Sequence, residues 1–143
     1  MTCIDQIMNR QVVTLRPETT LAEAVRLFTE HHIGGAPVVD GEGNIVGMVS
    51  ELQLLDMVFD PTAAEASVAS YMTEQVQSVA PQDPLSKAGQ LFALFAFRRL
   101  PVVDDGRLVG VVSRRDLMNH TLSTGERLDE PLWDFVPDLV EFA

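Results

Sequence analysis

Two helical segments stand out in the pattern of apolar and polar residues. The stretch TTLAEAVRLFTEHH (residues 19–32) places Leu21, Val25 and Phe28 at spacings of four and three residues, which is the spacing of one helical face. A second stretch, DPLSKAGQLFALFAF (residues 83–97), carries Leu85, Ala88, Phe92 and Phe95 at comparable spacing. Both stretches are therefore predicted helices.

Short apolar runs predict the strands. APVVD is separated from IVGMV by the turn GEGN, and LPVVD is separated from LVGVV by the turn DGR. Glycine supplies the positive φ that tight turns need, so each pair is a predicted hairpin. The runs VVTLRP and VQSVAP are predicted strands that end at proline. Ser50 and Ser113 are each predicted to open a further helix. Largely apolar strands favour a sheet covered on both faces.

The chain repeats itself. At an offset of 64 residues Met8 matches Met72, and PVVD at residues 37–40 matches PVVD at residues 101–104. The second turn is one residue shorter, so Val46-Gly47 matches Val109-Gly110 at an offset of 63. Two copies are too few for a solenoid, which favours a pseudo-symmetric pair around a shared interface. The predicted organisation is a first repeat at residues 1–63, a second at 64–122 and an acidic tail at 123–143.

Charge and composition narrow the functional classes. The net charge is −11, which argues against binding to nucleic acid or to anionic membranes. Cys3 is the single cysteine, so no internal disulfide or cysteine-based zinc site is predicted. The N-terminus lacks an apolar signal core, and the apolar stretch LFALFAF is too short to cross a bilayer. We therefore expect a cytoplasmic protein.

Basic residues are concentrated in the second repeat. Residues 1–63 have nine acids and three bases, residues 64–122 have six of each, and residues 123–143 have six acids and one base. Four of the six bases in the middle section form the pairs Arg98-Arg99 and Arg114-Arg115. A focused cationic region on an acidic body suits a small anion. The tail mixes acids with apolar residues and could dock on the body, exchange between subunits or begin a longer domain. We expect docking, because exposed Trp133 and Phe135 would favour aggregation.

The tandem pattern, with GGAPVVDGEGNIVGMVS in one copy and RRLPVVDDGRLVGVVSRRDL in the other, resembles a pair of cystathionine-β-synthase (CBS) domains, also called a Bateman module. The resemblance covers roughly residues 4–120. It implies an α/β (α+β) fold in which two β-α-β-β-α repeats pack sheet to sheet with pseudo-twofold symmetry. Such modules often bind adenosine nucleotides between the repeats, regulate an attached or partner protein, and form homodimers.

The resemblance also implies the site. The family's ligand motif is glycine, two apolar residues, Ser or Thr, any two residues and then Asp. The second repeat has it as GVVSRRD, in which Asp116 would accept both ribose hydroxyls and the helix beginning at Ser113 would face phosphate. Arg114 or Arg115 would add a phosphate contact. The predicted set for this cleft is Val111, Ser113, Arg114, Arg115, Asp116, Val12, Val13, Ile33, Gly34, Gly35 and Pro37, with the glycines allowing close backbone approach.

A second, weaker cleft is predicted from the first repeat. Its motif is GMVSELQ, where Gln53 replaces the ribose aspartate and has one acceptor oxygen and no charge. The basic side of this cleft would come from Arg98 and Arg99. The predicted set is Ser50, Gln53, Val76, Arg98, Arg99 and Pro101. The two features expected of a nucleotide site are thus divided between two clefts.

Other interpretations remain open. Ser-x-x-Asp and Ser-x-x-Gln at a helix start are also capping arrangements, which would account for Asp116 and Gln53 without a ligand. His31 and His32 fit a helix C-terminus better than a metal site, and His120 is interpreted as ordinary surface. No nucleophile–base arrangement or phosphate-binding glycine motif is present, so no enzyme activity is predicted. The two hypotheses are a sensor of AMP, ADP, ATP or S-adenosylmethionine, with no required cofactor, and a dimerisation module with empty clefts.

Overall fold

The computed structural model describes residues 2–95 and 97–128. Its contacts divide the chain into two compact units. The repeat-1 unit consists of Gln11–Val76 and Asp105–Leu108, and the repeat-2 unit consists of the described residues of Met1–Arg10, Gln77–Asp104 and Val109–Ala143. The sequence-based repeat boundaries at residues 63 and 122 stay a prediction, but the contacts assign the N-terminal ten residues to the unit of the second repeat.

The repeat-1 unit is built from one long helix, a hairpin and a short helix. Helix α1 spans Leu21–His31, strands β1 and β2 span Gly35–Val39 and Ile45–Ser50, and helix α2 spans Glu51–Leu54. The strands pair antiparallel with a bulge between Val38 and Val39. Most of β1 is buried, as its apolar sequence predicts. Three short 3₁₀ helices follow, at Leu55–Val58, Ala63–Glu65 and Val68–Ser70.

The repeat-2 unit has the same order of elements. Helix α3 spans Leu85–Leu94, strands β3 and β4 span Arg99–Asp104 and Arg107–Ser113, and helix α4 spans Arg114–Thr124. Ile4, in a 3₁₀ helix at Ile4–Gln6, is fully buried and joins the core of this unit. Its backbone N–H donates to the carbonyl of Asp83 at 3.0 Å. The mixed fold with two antiparallel hairpins is thus confirmed.

The predicted first strand of each repeat is reduced to a single parallel bridge. Leu15 bridges Val38, and Val79 bridges Val102. Leu15 donates its N–H to Pro37 at 2.9 Å and accepts from Val39 at 2.8 Å. Pairing stops there because proline follows two residues later in each repeat and has no N–H to continue a ladder. Leu15 and Val79 are both buried. The apolar pattern thus predicted a real strand contact but overestimated the length of the strand.

The second helix differs between the repeats. Helix α2 has four residues before it tightens into a 3₁₀ helix, whereas α4 has eleven. Pro61 restricts the backbone of Asp60 away from helical values and so limits the helix in the first repeat. In the second repeat no proline intervenes, and α4 ends at Gly125 in the left-handed conformation, with φ of 77°. The equivalent helices therefore have different lengths despite similar starts.

The two hairpin turns hydrogen bond within the repeat-1 unit. Ile45 donates its N–H to the carbonyl of Gly106, and Leu108 donates to the carbonyl of Gly43, both at 3.1 Å. The glycines have φ of 86° at Gly43 and 83° at Gly106, as predicted for tight turns. These bonds explain why residues 105–108 are grouped with the first repeat.

The segment after α4 is attached to its own unit as far as the structure describes it. Leu128 packs against the core of the repeat-2 unit, next to Gly89 on α3. The interpretation of His120 as ordinary surface is wrong, because its side chain is only 14% exposed and hydrogen bonds to Glu126. The predicted docking of Trp133 and Phe135 lies outside the described residues, as does Ala96 of the LFALFAF stretch. No helix in the described ranges is long and apolar enough to cross a bilayer.

Candidate functional site

Asp116 lies in the first turn of α4, where it completes a capping box. Its Oδ2 accepts the backbone N–H of Ser113 at 2.7 Å, and its own N–H donates to Ser113 Oγ at 3.0 Å. Within the described ranges, Oδ1 of Asp116 makes no hydrogen bond, and the side chain is half-buried. The carboxylate therefore serves as a cap with one oxygen and retains a second acceptor for a ligand hydroxyl.

Gln53 occupies the matching position in the first repeat, but its amide is fully engaged. Its Oε1 accepts from the N–H of Ser50 at 2.8 Å, and its Nε2 donates to the carbonyl of Tyr71 at 2.8 Å and to Thr73 Oγ1 at 3.0 Å. Both amide protons are used, so a ligand would have to displace an existing partner. The capping interpretation accounts for Gln53 better than ligand binding does.

A backbone hydrogen bond brings the two arginine pairs close together in the repeat-2 unit. Arg114 donates its N–H to the carbonyl oxygen of Arg98 at 3.2 Å. Arg98, Arg99, Arg114 and Arg115 are all exposed. Sequence reasoning assigned the pairs to different clefts, and it missed that the start of β3 and the start of α4 are neighbours. The four residues are called the arginine surface below.

The predicted glycine segment of the first repeat is tightly packed by its own unit. Gly34 accepts the N–H of Glu51 at 2.9 Å, and a Cβ added at Gly34 would lie 3.3 Å from Glu51 Oε1. A Cβ added at Gly35 would lie 3.2 Å from the carbonyl of Val49. Both glycines therefore leave room for close contacts within their own unit, Gly34 with α2 and Gly35 with the paired strand. A role in ligand approach stays a prediction.

The remaining predicted residues are divided between the units. Val111 exchanges both backbone hydrogen bonds with Asn9, at 2.8 and 2.9 Å, and Pro101 accepts the N–H of Val79 at 3.1 Å. The structure places Asp116, Ser113, Arg114, Arg115 and Val111 together in the repeat-2 unit, with Arg98, Arg99 and Pro101. The repeat-1 unit holds Val12, Val13, Ile33, Gly34, Gly35, Pro37, Ser50, Gln53 and Val76.

The glycine that opens the ligand motif is a packing site in both repeats. A Cβ at Gly110 would lie 2.7 Å from Met8 Sδ, and one at Gly47 would lie 2.5 Å from Met72 Sδ. The two methionines match at the offset of 64 residues, so the sequence contained this signal. Gly110 of the second repeat thus admits Met8 from the start of the first repeat, and Gly47 of the first repeat admits Met72 from the start of the second. Each methionine segment therefore lies against the strand that leads to Ser113 or Ser50.

A second polar cluster joins three segments of the repeat-2 unit. Glu126 Oε2 accepts the hydroxyl of Thr2 at 2.7 Å and lies 2.8 Å from His120 Nε2. The hydrogen bond from His120, followed by that from Thr2, holds the pKa of Glu126 below its usual value. The nearby groove of about 330 Å³ is lined by Thr2, Pro84, Leu85, Ser86, Glu126, Arg127 and Leu128. Among the described residues, no group of three or more His, Cys, Asp and Glu could hold a metal ion.

Comparison with known proteins establishes the class. The CBS domain family model matches residues 4–60 and again 68–123, so the chain belongs to the CBS domain family and carries two copies. The CBS domain-containing protein YhcV of Bacillus subtilis is 34% identical over 127 residues, which cover 86% of this chain and 88% of YhcV. A Methanocaldococcus jannaschii protein is 30% identical over 115 residues, or 80% of this chain but 41% of that protein.

The fold comparison agrees. CBSX2 from Arabidopsis thaliana, in its crystal structure in complex with AMP, superposes with a TM-score of 0.80 at 28% sequence identity. The match covers 88% of this chain and 100% of the CBSX2 chain. A likeness of this extent confirms the tandem CBS architecture.

Proposed function

We propose that this chain is a regulatory module that senses an adenosine nucleotide. The observation that carries the proposal is the arrangement at the start of α4, where Asp116 caps the helix through Oδ2 and keeps Oδ1 without a hydrogen bond within the described ranges. A ribose hydroxyl is a suitable donor to that oxygen. The AMP complex of CBSX2, whose fold this chain shares, supports an adenosine-type ligand.

Phosphate recognition is assigned to the same end of α4. The first backbone N–H groups of an α-helix point outward and carry a positive partial charge. Arg114 and Arg115 stand in the first turn of this helix and are exposed. Guanidinium groups bind phosphate in a bidentate manner and retain their charge at all physiological pH values. The proposed ligand set is therefore centred on Ser113, Arg114, Arg115 and Asp116.

The first-repeat residues of the predicted set stay a prediction from the resemblance to CBS pairs. The second cleft, built on Gln53 with Arg98 and Arg99, is the weaker candidate because the amide is already engaged. No catalytic role and no cofactor requirement are proposed. Binding would change the relative populations of conformations that a partner protein recognises. The identity of that partner and a cytoplasmic location stay predictions.

A matched pair of variants tests the ligand role of Asp116 against pure capping. Glu23 is the equivalent capping carboxylate of α1, where its Oε2 accepts the N–H of Thr20 at 3.3 Å. Asp116→Ala and Glu23→Ala should each cost about 1 kcal/mol of stability. In calorimetric titration with AMP, ADP, ATP and S-adenosylmethionine, only Asp116→Ala should weaken binding, by about tenfold or more.

Two results would contradict the proposal. Equal affinities for the wild-type protein and Asp116→Ala would leave Asp116 with a capping role alone. The absence of heat and of thermal stabilisation with all four ligands at millimolar concentration would remove the sensing function itself.

A dimerisation module is the second candidate, and one observation favours it. Phe59 and Leu122 match at the offset of 63 residues and are 78% and 86% exposed, and Leu55 and Met118 match likewise and are 49% and 62% exposed. Large apolar side chains exposed at equivalent places in both repeats suit a symmetric contact with a second copy. We propose that these exposed side chains mediate homodimer formation.

Light scattering tests the dimer. The wild-type chain at tens of micromolar should have twice the monomer mass, and Phe59→Asp with Leu122→Asp should lower it towards that of the monomer. Arg26→Asp with Thr121→Asp is the control for added negative charge. A wild-type monomer at that concentration, or an unchanged mass in the apolar-to-Asp variant, would contradict the assignment.

A further inference from the structure

The net charge of the chain is divided unevenly among three parts. The repeat-1 unit has eleven acids and three bases, whereas the described residues of the repeat-2 unit have five acids and seven bases. Residues 129–143 have five acids and no base. The repeat-2 unit is thus the one part with positive charge, and it lies directly before the most acidic segment of the sequence.

The excess positive charge is concentrated at the arginine surface. In the described ranges, the ion pairs are Lys87 with Asp83 and His120 with Glu126. None of Arg98, Arg99, Arg114 and Arg115 forms an ion pair with another described residue. Four exposed guanidinium groups in one region produce a local positive potential that attracts anionic groups.

The acidic segment starts on the same unit. Leu128 packs next to Gly89 on α3, and Glu126 is held by Thr2 and His120. Fifteen residues follow Leu128, and an extended chain of that length reaches about 50 Å. A unit of this size is about 30 Å across, so the segment can reach any part of its surface. Tethering raises its effective concentration to the millimolar range.

We propose that the acidic segment, residues 129–143, binds to the arginine surface of its own chain. Its carboxylates Asp129, Glu130, Asp134, Asp138 and Glu141 complement the guanidinium groups. The aromatic rings of Trp133 and Phe135 add faces on which a guanidinium can stack. Residues 129–143 thus occupy the arginine surface, and any other polyanion must displace them in order to bind.

The consequence for ligand binding rests on the proposed nucleotide function, whereas the docking itself does not. Arg114 and Arg115 are the residues assigned to phosphate recognition. Carboxylates bound to them would lower the apparent affinity for a nucleotide, because the ligand must first release the segment. The acidic segment therefore acts as an internal competitor that sets the nucleotide concentration at which the module responds.

Trp133 reports the docking without any nucleotide, because it is the single tryptophan of the chain. Acrylamide quenching of its fluorescence is measured in the full chain and in a synthetic peptide of residues 129–143. The quenching constant of the chain should be about two to three times smaller than that of the peptide. Raising KCl to about 0.5 M should remove most of the difference, because salt screens exposed charges.

Matched variants identify the surface. Arg114→Ala with Arg115→Ala should raise the quenching constant towards that of the peptide. Arg26→Ala with Arg107→Ala removes two exposed arginines from the repeat-1 unit and should leave the quenching constant unchanged.

The carboxylates are tested in the same way. Neutralising Glu130, Asp134, Asp138 and Glu141 to their amides should raise the quenching constant as the Arg114/Arg115 variant does. Neutralising Glu18, Glu30, Glu65 and Glu74 should have no effect on it. Circular dichroism confirms that each variant is folded.

The outcomes separate the alternatives. Equal quenching constants for the chain and the peptide would overturn the docking. So would equal effects of the Arg114/Arg115 double variant and the Arg26/Arg107 control variant. Protection that depends on protein concentration between about 1 and 50 µM would assign the surface to the segment of a second copy. Sodium pyrophosphate should expose Trp133, and its failure to do so would overturn the competition. If Trp133 responds to the arginine variants while no nucleotide binds, the docking stands and the sensing proposal fails.

Discussion

Arg114 donates its backbone N–H to the carbonyl oxygen of Arg98, and in the first repeat Glu51 donates to Gly34 in the same way. The distances are 3.2 and 2.9 Å. The repeats therefore share the backbone contact and differ in its side chains: two arginines in one, a glycine and a glutamate in the other. The hydrogen bond itself is made by main-chain atoms in both repeats, so it does not depend on the charge of these side chains.

Replacing Arg114 by glutamate should consequently separate binding from folding. The stability should change by less than about 0.5 kcal/mol, as is usual for an exposed position. The affinity for AMP should fall by about tenfold or more, because a charge-assisted phosphate contact is lost and a repulsive charge is added. Calorimetric titration and urea denaturation measure the two effects. Glu51→Gln is the control, and an unchanged AMP affinity in Arg114→Glu would contradict the assigned phosphate contact.

Gln53→Ala should show the reverse behaviour. The change removes the partners of the Ser50 N–H, the Tyr71 carbonyl and Thr73 Oγ1. We expect a loss of about 1–2 kcal/mol in the free energy of unfolding, because one partly buried and two exposed hydrogen bonds are lost together. The affinity for AMP should stay within about twofold of the wild-type value.

Denaturation in urea provides the measurement for Gln53, with the exposed Gln75→Ala as the control for loss of an amide side chain. A large loss of nucleotide affinity in Gln53→Ala with unchanged stability would show that the first-repeat site, rather than the Asp116 site, carries binding.

Gly110→Ala should destabilise the repeat-2 unit. The added Cβ would lie 2.7 Å from Met8 Sδ and 3.0 Å from the carbonyl of Asn9. Overpacking of this kind costs about 1–3 kcal/mol. Gly41→Ala is the control, since its nearest contact would be 3.7 Å away, at Arg16.

The double variant Gly110→Ala with Met8→Ala should recover part of the loss measured by thermal denaturation, because the thioether is removed while the Asn9 carbonyl remains. A Gly110→Ala protein as stable as Gly41→Ala would show that the segment around Met8 does not pack on β4 as described.

Glu126 predicts a pH dependence whose sign follows from its pKa. Hydrogen bonds from His120 and Thr2 hold the pKa of Glu126 below the usual value of 4.5. A carboxyl group with a depressed pKa in the folded state contributes stability above its unfolded pKa, and the contribution is lost as pH falls through the folded value. Glu126→Gln should therefore lower the melting temperature at about pH 7, and its difference from the wild type should shrink below about pH 4.5.

Thermal denaturation between about pH 7 and pH 3 checks this prediction, with Glu18→Gln as the control for loss of an exposed carboxylate. A constant difference between Glu126→Gln and the wild type over that range would mean that the ionised carboxylate is not what stabilises the cluster.

The sequence predicted most of the fold because repetition confirms each pattern twice. The hairpins, the helices beginning after Thr20 and Pro84, and the helix starts at Ser50 and Ser113 all follow from apolar spacing and capping residues. The first strands were overestimated because period-two patterns in short segments cannot show whether a ladder continues. Leu15 and Val79 pair with one residue each before proline intervenes.

The candidate site was less accessible to sequence reasoning. Asp116 was chosen from its motif. The capping arrangement, which the sequence left open, is confirmed, whereas the ligand role stays a prediction. The neighbouring backbones of Arg98 and Arg114, and the packing of Met8 on Gly110, depend on contacts between residues distant in sequence. The role of His120 was missed because its partner, Glu126, follows a left-handed turn at Gly125 that helical periodicity does not reveal.

The hydrogen-bonded hairpin turns have a practical consequence for engineering the chain. Exposed turns containing glycine are the usual places to insert an epitope, a fluorophore-binding peptide or a guest domain. Here the carbonyls of Gly43 and Gly106 accept the N–H groups of Leu108 and Ile45. Lengthening either turn would therefore break these hydrogen bonds to the other turn. Both turns are therefore poor places for an insertion, and a reporter is better placed elsewhere.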